Sequence, residues 1–233
     1  MYDPIQLSKK IENLVLKKNL KKYYRFRSTC FYNGIATADT VGCNLRCVFC
    51  WSDKSVWNVK NIGKFYTPNS VAEKLQKIAN DYKYRQLRIS GGEPTIGKNH
   101  LLELLELIEK KYLFILETNG ILLGYSKSYV EDLSKFNNLH VRVCLKGSDL
   151  KEFRLFTNAN RGFNFQLNAI KYLNEEKISF NIAIVSNRNN KKDLYKMLSK
   201  LCEENIFIEE EDIKLYPKVK ERLEKLRMLE LFM

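Results

Sequence analysis

The sequence predicts an α/β fold with a parallel sheet, and two observations carry that prediction. From Ile35 onward, six strand-like runs, each followed by a helix-like segment, succeed one another, and alternation of this kind builds parallel strands joined by right-handed crossovers. The 233 residues show no fixed-period repeat and no Gly/Ser- or Pro-rich linker, so a single domain with decorations accounts for the length. Alternation leaves a barrel and a doubly wound sheet open. In both, the chemistry gathers at the C-terminal ends of the strands.

Taken in order, Ile5 to Leu20 carries apolar residues at Ile5, Leu7, Ile11, Leu14, Leu16 and Leu20 between lysines and reads as an N-terminal helix. Lys21 to Tyr32 is basic and aromatic. A strand is expected over Ile35–Val41, a helix over Ser70–Tyr82 with Val71, Leu75 and Ile78 on one face, and a strand over Gln86–Ser90. Helix Asn99–Lys110, strand Leu113–Glu117, helix Ser128–Phe136 and strand His140–Leu145 follow. Helix Asn164–Leu173, strand Ile178–Val185, helix Lys192–Glu204, strand Asp212–Tyr216 and helix Lys218–Leu231 complete the alternation. In the fourth strand Val141, Val143 and Leu145 share one face, while His140, Arg142, Cys144 and Lys146 share the other. The apolar face packs on helices, so Arg142, Cys144 and Lys146 are expected in the interior, where charge is costly unless paired or bound to a ligand.

With 45% hydrophobic and 29% charged residues the chain is globular, which excludes a disordered tail. Lys and Arg number 40 against 27 Asp and Glu, a formal net charge of +13 that suits a polyanionic partner and equally a lysine-rich solvated surface. No apolar run reaches the ~18 residues of a membrane span, and the N-terminus lacks the layout of a signal peptide. The expectation is a cytoplasmic protein without membrane contact, whose 6 cysteines are ligands or buried small side chains rather than disulfides.

Three of those cysteines, Cys43, Cys47 and Cys50, lie directly after the first strand with the spacing C-x3-C-x2-C. Three thiolates on so short a loop converge on one soft metal centre. Structural zinc is the competing reading, but it takes four ligands, and neither histidine, His100 or His140, stands at a recognised spacing from a cysteine. Three ligands without an evident fourth suit an iron–sulfur cluster with one iron left open.

The segment resembles the signature of the radical S-adenosylmethionine (radical SAM) superfamily, and the resemblance extends from about Ile35 to Val185. It implies a partial (β/α)6 barrel over residues 34–233, preceded by a helical and basic-aromatic extension over 1–33. It also implies one 4Fe-4S cluster held by Cys43, Cys47 and Cys50, with SAM on the open iron and Phe49 near the adenine. Ser90-Gly91-Gly92-Glu93-Pro94 looks like the family's GGEP motif, which implies that Glu93 and the backbone around Gly91 and Gly92 hold the methionine amino group. Thr118 and Asn119, in Glu117-Thr118-Asn119-Gly120, resemble the TNG element of activating-enzyme-like members, and Lys146 resembles the fourth-strand lysine that holds the SAM carboxylate. Asn187 stands where it reaches the ribose. Cys144 is a lumen filler or a substrate-facing thiol, Cys30 and Cys202 are structural, and both histidines are surface or capping residues.

The implied reaction is reductive cleavage of SAM to a 5′-deoxyadenosyl radical that abstracts hydrogen, with ferredoxin or flavodoxin as reductant. The layout is most similar to enzymes that activate glycyl-radical proteins, although Trp51 stands where His-Asn often follows the third cysteine in those enzymes. The alternative substrate is a tRNA base or the precursor of a purine- or pterin-derived cofactor, in keeping with the positive charge and the stretch Tyr23–Arg27. A non-enzymatic, metal-dependent nucleic-acid-binding module leaves GGEP and Lys146 unexplained.

Overall fold

The computed structural model describes residues 1–202 and 206–233. The first helix, α1 (Pro4–Val15), has Pro4 in its first turn, and the Asp3 carboxylate accepts from the Ile5 amide at 2.8 Å. It ends five residues earlier than the lysine-interleaved periodicity suggested. Leu16 and Lys17 form strand β1, which turns through a left-handed Lys18 into β2 (Leu20–Thr29), pairing Leu16 with Lys21 and Lys17 with Leu20. The basic-aromatic stretch is therefore a ten-residue strand. It runs antiparallel to β3 (Ile35–Thr40), and a bulge between Tyr23 and Arg25 shifts its register. Tyr23 and Phe26 stack at 5.7 Å, while Arg25 and Arg27 both reach Asp39.

After β3 come the cysteine loop, the short helix α2 (Asp53–Trp57), and strand β4 (Lys64–Tyr66), which pairs with β2. Next are α3 (Pro68–Asp81), β5 (Gln86–Gly91), α4 (Lys98–Leu107), β6 (Leu113–Thr118), α5 (Ile121–Tyr125), α6 (Lys127–Leu133) and β7 (Leu139–Leu145). The chain continues through α7 (Leu150–Thr157), α8 (Phe163–Glu175), β8 (Ser179–Val185), α9 (Lys192–Leu201), β9 (Ile208–Glu211) and α10 (Pro217–Lys225). Strands β3, β5, β6, β7, β8 and β9 are all parallel and lie side by side in chain order. A doubly wound sheet reverses its strand order at a switch point, and this sheet does not, so the six units form the partial barrel.

The sixth strand differs from expectation: it is Ile208–Glu211, paired parallel to β8, and residues 212–216 are irregular. Three consecutive glutamates disguise it. Glu209 and Glu211 sit at 3.0 and 3.3 Å from Arg142 on β7, so the charge that argues against a strand is neutralised inside the barrel. The helix expected over 192–204 ends at Leu201, where Cys202 is extended, and the expected last residue, Glu204, lies outside the described residues. Val141, Val143 and Leu145 of β7 are wholly buried beneath the helices. No helix among the described residues is long and apolar enough to cross a membrane.

Candidate active site

A cavity of about 730 Å³ opens at the C-terminal ends of the parallel strands, lined by residues of β2, β5, β6, β7, β9 and the cysteine loop. Cys43, Cys47 and Cys50 all face it, as do Phe49, Gly91, Gly92, Glu93, Thr118, Asn119 and Lys146. The predicted residues thus meet in one place, with one exception. Asn187 is not among the lining residues: its amide donates to Glu152 of α7 at 3.0 Å and its carbonyl accepts from the Asn189 amide.

The cysteine loop is held from several sides. The Cys50 amide donates to the Cys47 carbonyl at 3.1 Å, closing a tight turn, and the Cys43 sulfur accepts from the Leu45 amide at 3.4 Å and the Asn119 amide group at 3.7 Å. Arg222 of α10 donates to the carbonyls of Val48 (3.0 Å), Cys50 (3.2 Å) and Cys47 (3.5 Å), and pairs with Asp53 at 2.7 Å. One guanidinium therefore clamps the part of the loop that carries Cys47 and Cys50. Phe49 packs edge-on against Phe156 and Phe232, both at 5.6 Å.

Burial raises the pKa of all three thiols, that of Cys47 to about 12, while the Lys146 charge counteracts this at Cys47 and Cys50 and the Arg222 charge at Cys50. Among the described residues, no three Cys, His, Asp or Glu side chains close on a single metal ion. A 4Fe-4S cluster takes each thiolate on a different iron, so a loop of separated, convergent thiols suits it better than it suits zinc. Among the described residues, the buried Asn44 amide nitrogen beside Cys43 has no partner, a donor suited to a sulfur acceptor.

The Gly-Gly-Glu-Pro segment lies directly on the start of the cysteine loop. The Gly92 amide donates to Thr40 at 2.9 Å and the Glu93 amide to Gly42 at 2.7 Å. A Cβ on Gly92 would stand 2.0 Å from the Gly42 carbonyl oxygen, so glycine is required for this approach. The Glu93 carboxylate is buried. Its Oε1 accepts from the Thr95 amide (3.1 Å) and the hydroxyls of Thr95 and Thr118 (both 2.6 Å), and its Oε2 accepts from the Asn119 amide at 2.9 Å. Oε2 retains a lone pair for one further donor. Thr118 and Asn119 thus turn their polar groups to Glu93 and to Asn44, whose carbonyl accepts from the Asn119 amide at 2.7 Å. They orient the carboxylate and the cysteine loop.

Lys21, which the sequence presents as half of a paired-lysine run, is wholly buried beneath this segment. Its Nζ donates to the carbonyls of Pro94 and Ile96, each at 2.6 Å. Burial depresses its pKa to about 7, against the opposing pull of Glu93. His100 is also buried, contrary to the surface or capping role expected of it. It bridges Asn19 (2.7 Å) and the Tyr23 hydroxyl (2.9 Å), and burial holds its pKa near 4.

On β7 the alternation places Arg142, Cys144 and Lys146 at the cavity, as periodicity required. Arg142 is enclosed by Glu117, Glu209 and Glu211, and Arg88 of β5 pairs with Glu117 at 3.0 Å. Lys146 lies 5.9 Å from the Phe49 ring; burial lowers its pKa, but the thiols of Cys144 and Cys47 and the charge of Glu211 raise it further, so the net shift is upward.

Comparison with known proteins agrees with this geometry. Residues 38–201 match the family model of the radical SAM superfamily. The chain is 31% identical over 117 residues to a GTP 3′,8-cyclase of Thermodesulfovibrio yellowstonii, covering 49% of this chain and 35% of the relative. It is 27% identical over 148 residues to a putative glycyl-radical enzyme activating enzyme of Methanocaldococcus jannaschii, covering 62% and 51%. The structure of Streptococcus suis SuiB bound to S-adenosylmethionine superposes with a TM-score of 0.57 at 21% identity over 82% of this chain and 43% of that one, a likeness of fold. The chain spans about a third to a half of the length of the curated relatives it matches. With the parallel barrel, the three-thiol loop and this match in agreement, the chain belongs to the radical SAM superfamily, whose cofactors are a 4Fe-4S cluster and S-adenosylmethionine.

Proposed function

We propose that this chain reductively cleaves S-adenosylmethionine and directs the resulting radical at a C–H bond of its substrate. The observation that carries the reading is the convergence of Cys43, Cys47 and Cys50 with Glu93 and Lys146 on one cavity. When bound, the cluster and SAM together supply the 5′-deoxyadenosyl radical. Cys43, Cys47 and Cys50 hold the cluster. Glu93 Oε2 receives the ammonium of SAM, Lys146 faces its carboxylate, and Phe49 with the backbone of Gly91 and Gly92 walls the ligand. Thr118 and Asn119 orient Glu93, and a ferredoxin- or flavodoxin-type protein delivers the electron.

Similarity to a putative activating enzyme supports a glycyl-radical protein as substrate. Similarity to GTP 3′,8-cyclases supports a small purine-type molecule, and the arginines that line the cavity favour this second reading. The test is anaerobic reconstitution with iron, sulfide, SAM and a reductant. Wild-type protein is expected to release 5′-deoxyadenosine, detected by mass spectrometry, and the single Cys→Ala variants to lose both iron and product. Iron loading and SAM cleavage that persist in all three variants refute the assignment.

A further inference from the structure

The cations of the barrel interior are unequally neutralised. Arg88 pairs with Glu117, and Arg142 is enclosed by Glu117, Glu209 and Glu211. Arg25 and Arg27, by contrast, both turn to the single carboxylate of Asp39, which is wholly buried; among the described residues it is the only acid within ion-pairing distance of either. Both arginines bind it through Nε at 2.7 Å, and Arg27 adds one terminal nitrogen at 3.2 Å. Among the described residues, no carboxylate reaches either terminal nitrogen of Arg25 or the second terminal nitrogen of Arg27. A guanidinium anchored through Nε presents those remaining N–H groups as a fork.

Position gives this excess charge a use. Arg25 and Arg27 are two apart on β2 and both line the cavity that holds the cysteine loop. Next to Arg25, the Tyr24 hydroxyl bonds Ser52 at 3.3 Å, tying β2 to a residue two beyond Cys50. Phe31 and Tyr32 line the same cavity and lie over the Arg88 guanidinium at 5.3 and 6.0 Å. A fork on Arg25 and one terminal amino group on Arg27, both fixed by a buried carboxylate and facing a ligand-sized space that Phe31 and Tyr32 also line, suit an oxyanion.

We propose that Arg25 and Arg27, oriented by Asp39, form a recognition site for a phosphate or carboxylate group of the substrate. This rests on the radical SAM reading of the cavity and adds to it the substrate's chemical class, an anionic small molecule.

The test is isothermal titration of inorganic pyrophosphate and, separately, of citrate into the reconstituted, SAM-bound protein. Wild type is expected to bind at least one of them. Arg25→Gln and Arg27→Gln are each expected to weaken binding about tenfold or more, and Lys77→Gln on the outer helix α3 to leave it unchanged. Pyrophosphate alone identifies a phosphorylated substrate and citrate alone a carboxylated one. Absence of saturable binding to wild type, or equal affinity in Arg25→Gln and Arg27→Gln, overturns the proposal. Should Arg27→Gln not fold for want of a partner to Asp39, Arg25→Gln decides, since Arg27 still neutralises the acid there. Release of 5′-deoxyadenosine without substrate, measured on the same samples, reports on the radical SAM reading independently: its loss in wild type refutes that reading, and its survival in the arginine variants isolates the anion site.

Discussion

Replacement of Lys21 by methionine removes a buried amine while roughly keeping its volume. The folded amine loses its proton near pH 7, because burial disfavours the charge, whereas the unfolded amine keeps it to about pH 10.5. Between those values the unfolded chain binds more protons, so this group makes wild-type stability rise with pH, at up to ~1.4 kcal/mol per pH unit. Below about pH 7 the burial penalty is fully present. The neutral amine still has two N–H groups for the Pro94 and Ile96 carbonyls, whose loss in Lys21→Met costs about 2 kcal/mol at any pH. Because the folded amine is still half protonated at pH 7, wild type is expected to gain roughly 2 kcal/mol relative to Lys21→Met between pH 7 and pH 9. Anaerobic urea titrations of both proteins at pH 7, 8 and 9 measure this, and cysteine titrations common to the two cancel in the difference. With urea slopes of about 1–3 kcal/mol/M, the relative midpoint moves by about 0.7 to 2 M. A difference constant within ~0.5 kcal/mol across that range refutes the neutral buried lysine.

Three further outcomes follow from the site. Gly92→Ala forces the Gly42 and Gly92 backbones apart and breaks the two hydrogen bonds that join their loops; a loss of about 3–5 kcal/mol is expected in urea unfolding, and a loss below ~1 kcal/mol contradicts the contact. Arg222→Gln releases the carbonyls of Cys47, Val48 and Cys50. Iron per chain after reconstitution is expected to fall and the electron paramagnetic resonance of the reduced cluster to change, with partial recovery in Arg222→Lys; wild-type values for both would exclude the clamp. Glu93→Gln can keep a carbonyl oxygen for Thr95 and Thr118, but then sets its amide donor at the Oε2 position, against the Asn119 amide that already donates there and against an ammonium ligand. SAM binding by equilibrium dialysis is expected to weaken at least tenfold with iron content retained, and unchanged affinity removes Glu93 from the ligand's contacts.

The features legible beforehand are local ones. C-x3-C-x2-C, GGEP and the period-two pattern of β7 each place their residues through the chain's own geometry, and the cavity contains the cysteines, Glu93 and Lys146 where those patterns directed them. Asn187 follows the end of a strand, which by itself points it at a ligand, but a contact with Glu152, 35 residues earlier, redirects it. In sequence the ten-residue strand β2 looks like a basic-aromatic extension, because its alternation is broken by the bulge at Tyr23–Arg25 and its charges answer to Asp39 on the next strand. Strand β9 escapes the sequence because its three glutamates look solvated until Arg142 stands opposite Glu209 and Glu211 and Lys191 meets Glu210.

By itself the sequence determined the order of six strand–helix units, the three thiols on one loop and the carboxylate at the next strand end, since each is encoded within a few neighbouring residues. Tertiary structure decided which cations act on that site. Lys21 reaches Pro94 across 73 residues and Arg222 reaches Cys47 across 175. Lysines and arginines recur throughout this basic chain, so their types and spacings carry no mark of such contacts. Only folding, by burying some of them against backbone carbonyls and leaving two arginines on one acid, gives each charge its task.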